Sequence, residues 1–193
     1  REALARLGVF SGGFTLASAD DVCGVDVFAL ETLTEHSLLR HSGTRFHMLE
    51  TIRAYALERL EERQEAEGVR RRHAEHFAEF AESAEMTVLR GEEQADWIAR
   101  VEADHDNLRA ALAWTHDAGE TALELRLAGA LRGFWYVRSY LGEGRRWYTQ
   151  ALSAEGEQPP ALRAKALRGA MSLAHRQGRF DDAQRYADEA LEL

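Results

Sequence analysis

The sequence is poor in the residues that break helices and in those that build thiol sites. It holds two adjacent prolines, Pro159 and Pro160, one cysteine, Cys23, and one lysine, Lys165. A lone cysteine cannot close an internal disulfide, which agrees with a reducing compartment and leaves little room for a thiol-based metal site. Cys23 reads as a small buried apolar residue and not as a nucleophile. No uncharged apolar run approaches the length of a membrane span, and the opening REALARLGVF lacks the layout of a signal peptide, so a cytoplasmic location is expected. No Gly-x-x-x-x-Gly-Lys-Ser/Thr phosphate loop occurs, so these residues are not expected to bind or hydrolyse ATP alone. The formal charge of −9 disfavours a surface built throughout for nucleic acid, although a local basic patch remains open.

What is present is mostly amphipathic helix, with Gly and Asp breaks between the helical segments. A mainly α fold follows. Near the start the spacing predicts helices around Arg1 to Leu7, Ser18 to Val22 and Asp26 to His36, with a break at Gly12-Gly13. SLLRHSGTRFHM then shows two short apolar runs around Ser42-Gly43, a pair that suits a tight β-hairpin. Three helices followed by a hairpin describe a winged helix, expected over 1–48. The next phrase, FHMLETIRAYALERL, leaves a strand and enters a helix from about Leu49 to Gln64, with Met48, Leu49, Ile52, Ala56 and Leu60 spaced for one buried stripe. After a break near Gly68, a second helix places Val69, His73, Phe77, Phe80 and Ala84 on one face. These helices form a linking segment over 49–91.

From 92 to 193 the pattern is paired helices. The first pair begins EEQADWIARVEA, at Glu92 and Glu93, and continues through DHDNLRAALAWTHDAG, with Asp104 or Asp106 placed to cap and Gly119 to terminate. A long helix through TALELRLAGALRGFWYVRSY comes next, followed by LGEGRRWYTQALSA. In the last pair, Gly178, Phe180, Ala183, Tyr186 and Ala190 sit where a tetratricopeptide repeat puts its turn glycine and packing residues. The same frame on the preceding pair meets Leu141, Gly144, Trp147 and Ala151. The AEGEQPP segment absorbs the surplus between the two. A degenerate tetratricopeptide-like array is therefore expected, with more repeats or a partner after Leu193.

Three phrases, RFHMLETIRAYALERL, GVRRRHAEHFAEFAE and EADHDNLRAALAW, resemble the middle part of bacterial signal-transduction ATPases that regulate transcription. These are the large LuxR-type and antibiotic-regulatory proteins, in which a nucleotide-binding module precedes a winged helix and tetratricopeptide repeats. The resemblance implies a non-enzymatic regulatory fragment, with ATP or ADP held by an upstream module of the same protein. In related ATPases a Met-His-Asp phrase senses nucleotide; here those places are Met48, Leu49 and Glu50. Leucine cannot donate a hydrogen bond, so the sensor histidine is absent.

The helix VDVFALETLTEH, which would enter a DNA groove, carries Asp26, Glu31 and Glu35 and no cation, and Arg40, His41 and Arg45 on the wing are too few to reverse this. A DNA-binding winged-helix domain is thus the alternative reading. His73 and His76 stand at i, i+3 but lack a third metal ligand; His73 is expected partly buried and His76 exposed. The ADHDN cluster reads as helix capping, and the FWYVRSY aromatics, with Trp147 and Tyr148, read as core. In the array, Lys165, Arg168, Ser172, His175 and Arg176, joined by Arg126 and Tyr136, could line a groove that takes an acidic protein or peptide. Their simpler role is a solvated face paired with Asp181, Asp182 and Glu189.

Overall fold

The computed structural model describes residues 1–89, 94–154 and 158–193, apart from the side chains at 84, 86–89 and 94. The expectations for Ala84, Glu92, Glu93 and the surplus around 155–157 lie outside the described residues. The fold is mainly α. It divides into two compact units, Arg1–Phe77 with Glu102–Ala111, and Ala78–Val101 with Leu112–Leu193. The first half of the chain runs α1 (Glu2–Leu7), β1 (Gly13–Thr15), α2 (Leu16–Cys23), α3 (Val27–Glu35), β2 (Arg40–Ser42), β3 (Arg45–His47), α4 (Glu50–Glu62) and α5 (Ala66–Leu89). It continues with α6 (Gln94–Ala103), α7 (His105–Asp117), α8 (Thr121–Ala130), α9 (Arg132–Val137), α10 (Leu141–Ser153), α11 (Pro160–Arg176) and α12 (Phe180–Leu191).

In the first unit the hairpin β2–β3 forms at Gly43, whose φ of +61° suits glycine in a two-residue turn. The sheet has a third member that the sequence did not reveal. β1 pairs antiparallel with β3, Phe14 opposite Phe46, giving the order β1-β3-β2 and the element order of a winged helix. Helix starts follow local chemistry. Thr15 and Ser18 form a capping box at α2, and the Asp26 carboxylate accepts the Ala29 N–H at 2.9 Å at α3. The core stacks Phe10 on Phe14 at 4.7 Å, with Phe77 and Phe46 around them and Leu7, Leu30 and Leu60 fully buried. α1 packs on α4, where a β-carbon on Gly8 would come within 2.8 Å of the Ala56 Cβ. Cys23 is buried, and burial pushes its thiol up to about 12.

Two expectations in this region change. The break between the fourth and fifth helices is at Gln64, in the left-handed region at φ +57°, and Gly68 lies inside α5. The apolar stripe of α4 narrows to buried Ala56 and Leu60, with Met48 and Ile52 half-buried. Leu49 is 52% exposed because it stands at the N-cap position, before the first helical turn.

In the second unit α11 packs against α8, α9, α10 and α12. The expected long helix over TALELRLAGALRGFWYVRSY is two, interrupted at Leu131 and ended by Ser139 at φ +59°. Gly178, at φ +73°, turns the chain between α11 and α12 as expected. Close approach fixes the packing. A β-carbon at Gly144 would stand 2.6 Å from Leu173 and 2.7 Å from Trp135, and one at Gly169 would overlap the Tyr148 hydroxyl. Trp135 and Tyr148 meet edge to face at 5.4 Å, and with Phe134 and Trp147 they are core, whereas Tyr136 of the same cluster is at the surface.

Candidate partner-binding surface

Two of the seven groove residues are committed elsewhere in their own unit. Arg126, on α8, donates to both Glu82 oxygens on α5, at 3.0 and 2.8 Å, and these hydrogen bonds hold the Glu82 carboxyl below the ordinary carboxylate range. Lys165, on α11, reaches Glu85 on α5 at 2.5 Å, its stem running over Gly129, where a β-carbon would meet Cδ at 3.1 Å. These are half-buried struts between helices. The sequence held a clue to them, since Glu82 and Glu85 are three residues apart on one helix face, but which cations they meet depends on tertiary packing.

The remaining groove residues stay at the surface. The Arg176 guanidinium stacks over Tyr136 with its carbon 4.4 Å from the ring centroid, bringing α11 to α9. Tyr136 is 37% exposed and its neighbour Val137 45%. Arg168 is exposed two turns before Arg176 on α11, with half-buried Ser172 between them. His175 is exposed and meets Phe180 edge to face at 5.5 Å. The acids expected to neutralise this row mostly serve other cations: Asp182 takes Arg179 and Arg185, and Glu189 takes Arg163.

In the first unit, Met48 is half-buried, Leu49 starts α4, and Glu50 is exposed and paired with Arg53 at 2.7 Å, an interaction that lowers the Glu50 carboxyl. The outer face of α3 presents Phe28, 72% exposed, with Glu31, Thr32 and Glu35 at helical spacing. Of the basic wing residues, Arg45 is turned inward. It donates to Asp104 at 2.7 and 3.0 Å and to the Gly13 carbonyl at 2.7 Å. Fully buried Asn107 completes the clasp, accepting the Ser11 N–H at 2.8 Å and donating to the Gly13 carbonyl and to Asp104 at 2.8 and 2.9 Å. The Asp104 carbonyl accepts the Leu108 N–H at the start of α7, while its carboxylate serves this clasp instead of capping the helix. Asp106 is exposed and faces Arg109.

The histidine pair also differs from expectation. His73 is wholly buried against Phe10 and Phe77, and burial pushes its imidazole down to about 3, opposed by a hydrogen bond that the ring donates to Asn107. His76 is half-buried, 3.4 Å from Asp21. Among the described residues, no three His, Cys, Asp or Glu side chains group to hold a metal ion, and no helix is long and apolar enough to cross a membrane.

Comparison with known proteins gives a consistent match. Three proteins provisionally named HTH-type transcriptional regulators, one from Mycobacterium bovis and two from Mycobacterium tuberculosis strains, are 34% identical to this chain over 177 residues. The match covers 84% of this chain and 20% of each relative, so the chain spans about a fifth of the curated relatives' length. No family model matches the chain. No solved structure matches it.

Proposed function

We propose that this chain is a non-catalytic, protein-binding part of a transcriptional regulator, in which a winged helix and a tetratricopeptide-like array relay the state of an upstream nucleotide-binding module through domain docking. The observation that carries the reading is the 34% identity to HTH-type transcriptional regulators over 84% of the chain. The nucleotide, ATP or ADP, belongs in this proposal to the upstream module, because the Met48-Leu49-Glu50 phrase lacks the donor that a phosphate sensor needs. The array contributes Arg168, His175, Arg176 and Tyr136 to the capture of an acidic protein or peptide segment. Partner binding then shifts docking by as much as its affinity differs between the docked and undocked states.

A second reading, DNA binding through α3, is favoured by the HTH in the relatives' names. The α3 face argues against it, since Asp26, Glu31 and Glu35 repel phosphate and the wing's Arg45 is held by Asp104. A gel-shift titration over salt separates the two. Salt-sensitive DNA binding at submicromolar protein would overturn the docking model, whereas loss of partner binding in Arg168→Glu/Arg176→Glu, with the fold intact by circular dichroism, is the outcome the docking model expects.

A further inference from the structure

The chain carries two charged faces of opposite sign that its own counter-ions leave uncompensated. The first is acidic and lies on α3. Phe28, Glu31, Thr32 and Glu35 recur there at i, i+3, i+4 and i+7, so they share one face of the helix. Phe28 is 72% exposed, the highest value of any aromatic side chain among the described residues, and Val27 beside it is also exposed. Among the described residues no cation pairs with Glu31 or Glu35, both of which stand in solvent. An aromatic ring of this exposure next to two unpaired carboxylates is the pattern of a contact face, since a solitary solvated helix gains nothing from it.

The second face is basic and lies on α11 with α9 and α12 beside it. Arg168 and Arg176 are exposed two turns apart, and among the described residues no carboxylate pairs with either. Arg176 gives the flat side of its guanidinium to Tyr136, and the N–H edge, which suits a carboxylate, has no acceptor. Next to it Val137 is 45% exposed, and His175 meets Phe180 at the same end of α11.

The two faces match in charge and in spacing. At about 1.5 Å per residue, Phe28 to Glu35 covers roughly 10 Å and Arg168 to Arg176 roughly 12 Å. Laid antiparallel, α3 puts Phe28 on Tyr136 and Val137, Glu31 at Arg176 and Glu35 at Arg168. The formal charge of −9 holds copies of the chain apart unless patches of opposite sign meet, so an association between them needs such a match. We propose that the occupant of the α11 face is a second copy of this chain, docked through the Phe28, Glu31 and Glu35 face of its α3. This rests on the reading of α11 as an acidic-partner surface and names the partner. One helix on one patch is a small interface, so the association is micromolar or weaker.

The test is sedimentation velocity of the 193-residue chain from about 1 to 500 µM, with each variant checked by circular dichroism. Concentration-dependent association is expected. Arg168→Glu/Arg176→Glu and Glu31→Arg/Glu35→Arg should each weaken it at least tenfold, and Phe28→Ala by a similar factor. An equimolar mixture of the two charge-reversed chains should associate again, because the acidic α11 of one then meets the basic α3 of the other. A reversed chain that associates as tightly as the parent, or a mixture no tighter than its components, would overturn the assignment. A parent chain that stays monomeric but binds a labelled glutamate-rich peptide through Arg168 and Arg176 overturns the second copy alone. A monomeric chain that binds no such peptide overturns the acidic-partner reading as well. Should one reversed chain fail to fold, the other and Phe28→Ala decide.

Discussion

The two units join their helices with different emphasis, and each holds both kinds of contact, Gly8 close against Ala56 in the first and Arg126 paired with Glu82 in the second. In the first, a buried amide and a bidentate Arg–Asp pair tie β1, β3 and the start of α7 through directional hydrogen bonds, and the donors and acceptors of Asn107 are matched. In the second, helices approach closely at Gly144 and Gly169, while Trp135 Nε1, Trp147 Nε1 and Tyr148 Oη are buried with no hydrogen-bond partner among the described residues. Directional bonds specify register; close packing of aromatics on glycine supplies apolar burial and tolerates orphaned donors. The first unit should therefore be sensitive to loss of polar partners and the second to added volume.

The largest effect is expected in the second unit. Gly169→Ala drives a methyl group into the Tyr148 hydroxyl and should cost about 3 kcal/mol in chemical denaturation, an overpacking penalty. Adding Tyr148→Phe should recover part of that loss, and Tyr148→Phe alone should be neutral or slightly stabilising, because it deletes a hydroxyl without a partner. A Gly169→Ala chain as stable as the parent would show that close packing does not govern this unit.

In the first unit, Asn107→Leu strands the Ser11 N–H and a share of the Gly13 carbonyl. It is expected to cost about 2 kcal/mol, read from hydrogen exchange of the Ser11 amide. Protection of that amide unchanged by the substitution would break the comparison.

Acid should divide the units by sign. His73 has a folded-state pKa pushed down by burial to about 3, from 6.5, so the unfolded chain takes up the proton first. The first unit accordingly loses stability as pH falls below about 6.5, by at most ~1.4 kcal/mol per pH unit, until the imidazole itself protonates near 3. Glu124 is the reverse. It is buried on α8, 3.4 Å from His116, and burial raises its carboxyl above the usual range, against the pull of His116. Ionised Glu124 penalises the folded second unit, and that penalty is relieved as pH falls through the raised value. His73→Phe should flatten the first slope and Glu124→Gln the second, each followed by thermal unfolding between pH 4 and 7. Parallel slopes in the two variants would contradict the assignment.

The smallest effect is local. Gln64 pays the left-handed strain between α4 and α5, so Gln64→Gly should stabilise by about 0.5–1 kcal/mol in urea.

What could be read from the sequence was whatever local chemistry decides. Ser42-Gly43 marked the hairpin, Asp26 the start of α3, and Gly119 and Gly178 the helix ends. β1 escaped because three residues are too few for a period-two pattern and its partner, β3, lies far along the chain. Gly68 drew the break away from Gln64, since glycine is the usual sign of a helix end and a left-handed glutamine carries none. For the groove, the row of cations on α11 was visible in the helical spacing. The capture of Arg126 and Lys165 by Glu82 and Glu85 was not, because that pairing is decided by packing across helices distant in sequence.

The Lys165–Glu85 strut has a practical consequence. Because this side chain is the chain's one lysine, a reagent that attacks the ε-amine modifies a single internal position, and only when the ammonium leaves its carboxylate. The speed of acylation at Lys165, measured by mass spectrometry with and without an added regulator segment, becomes a clock for how often this ion pair between α11 and α5 opens.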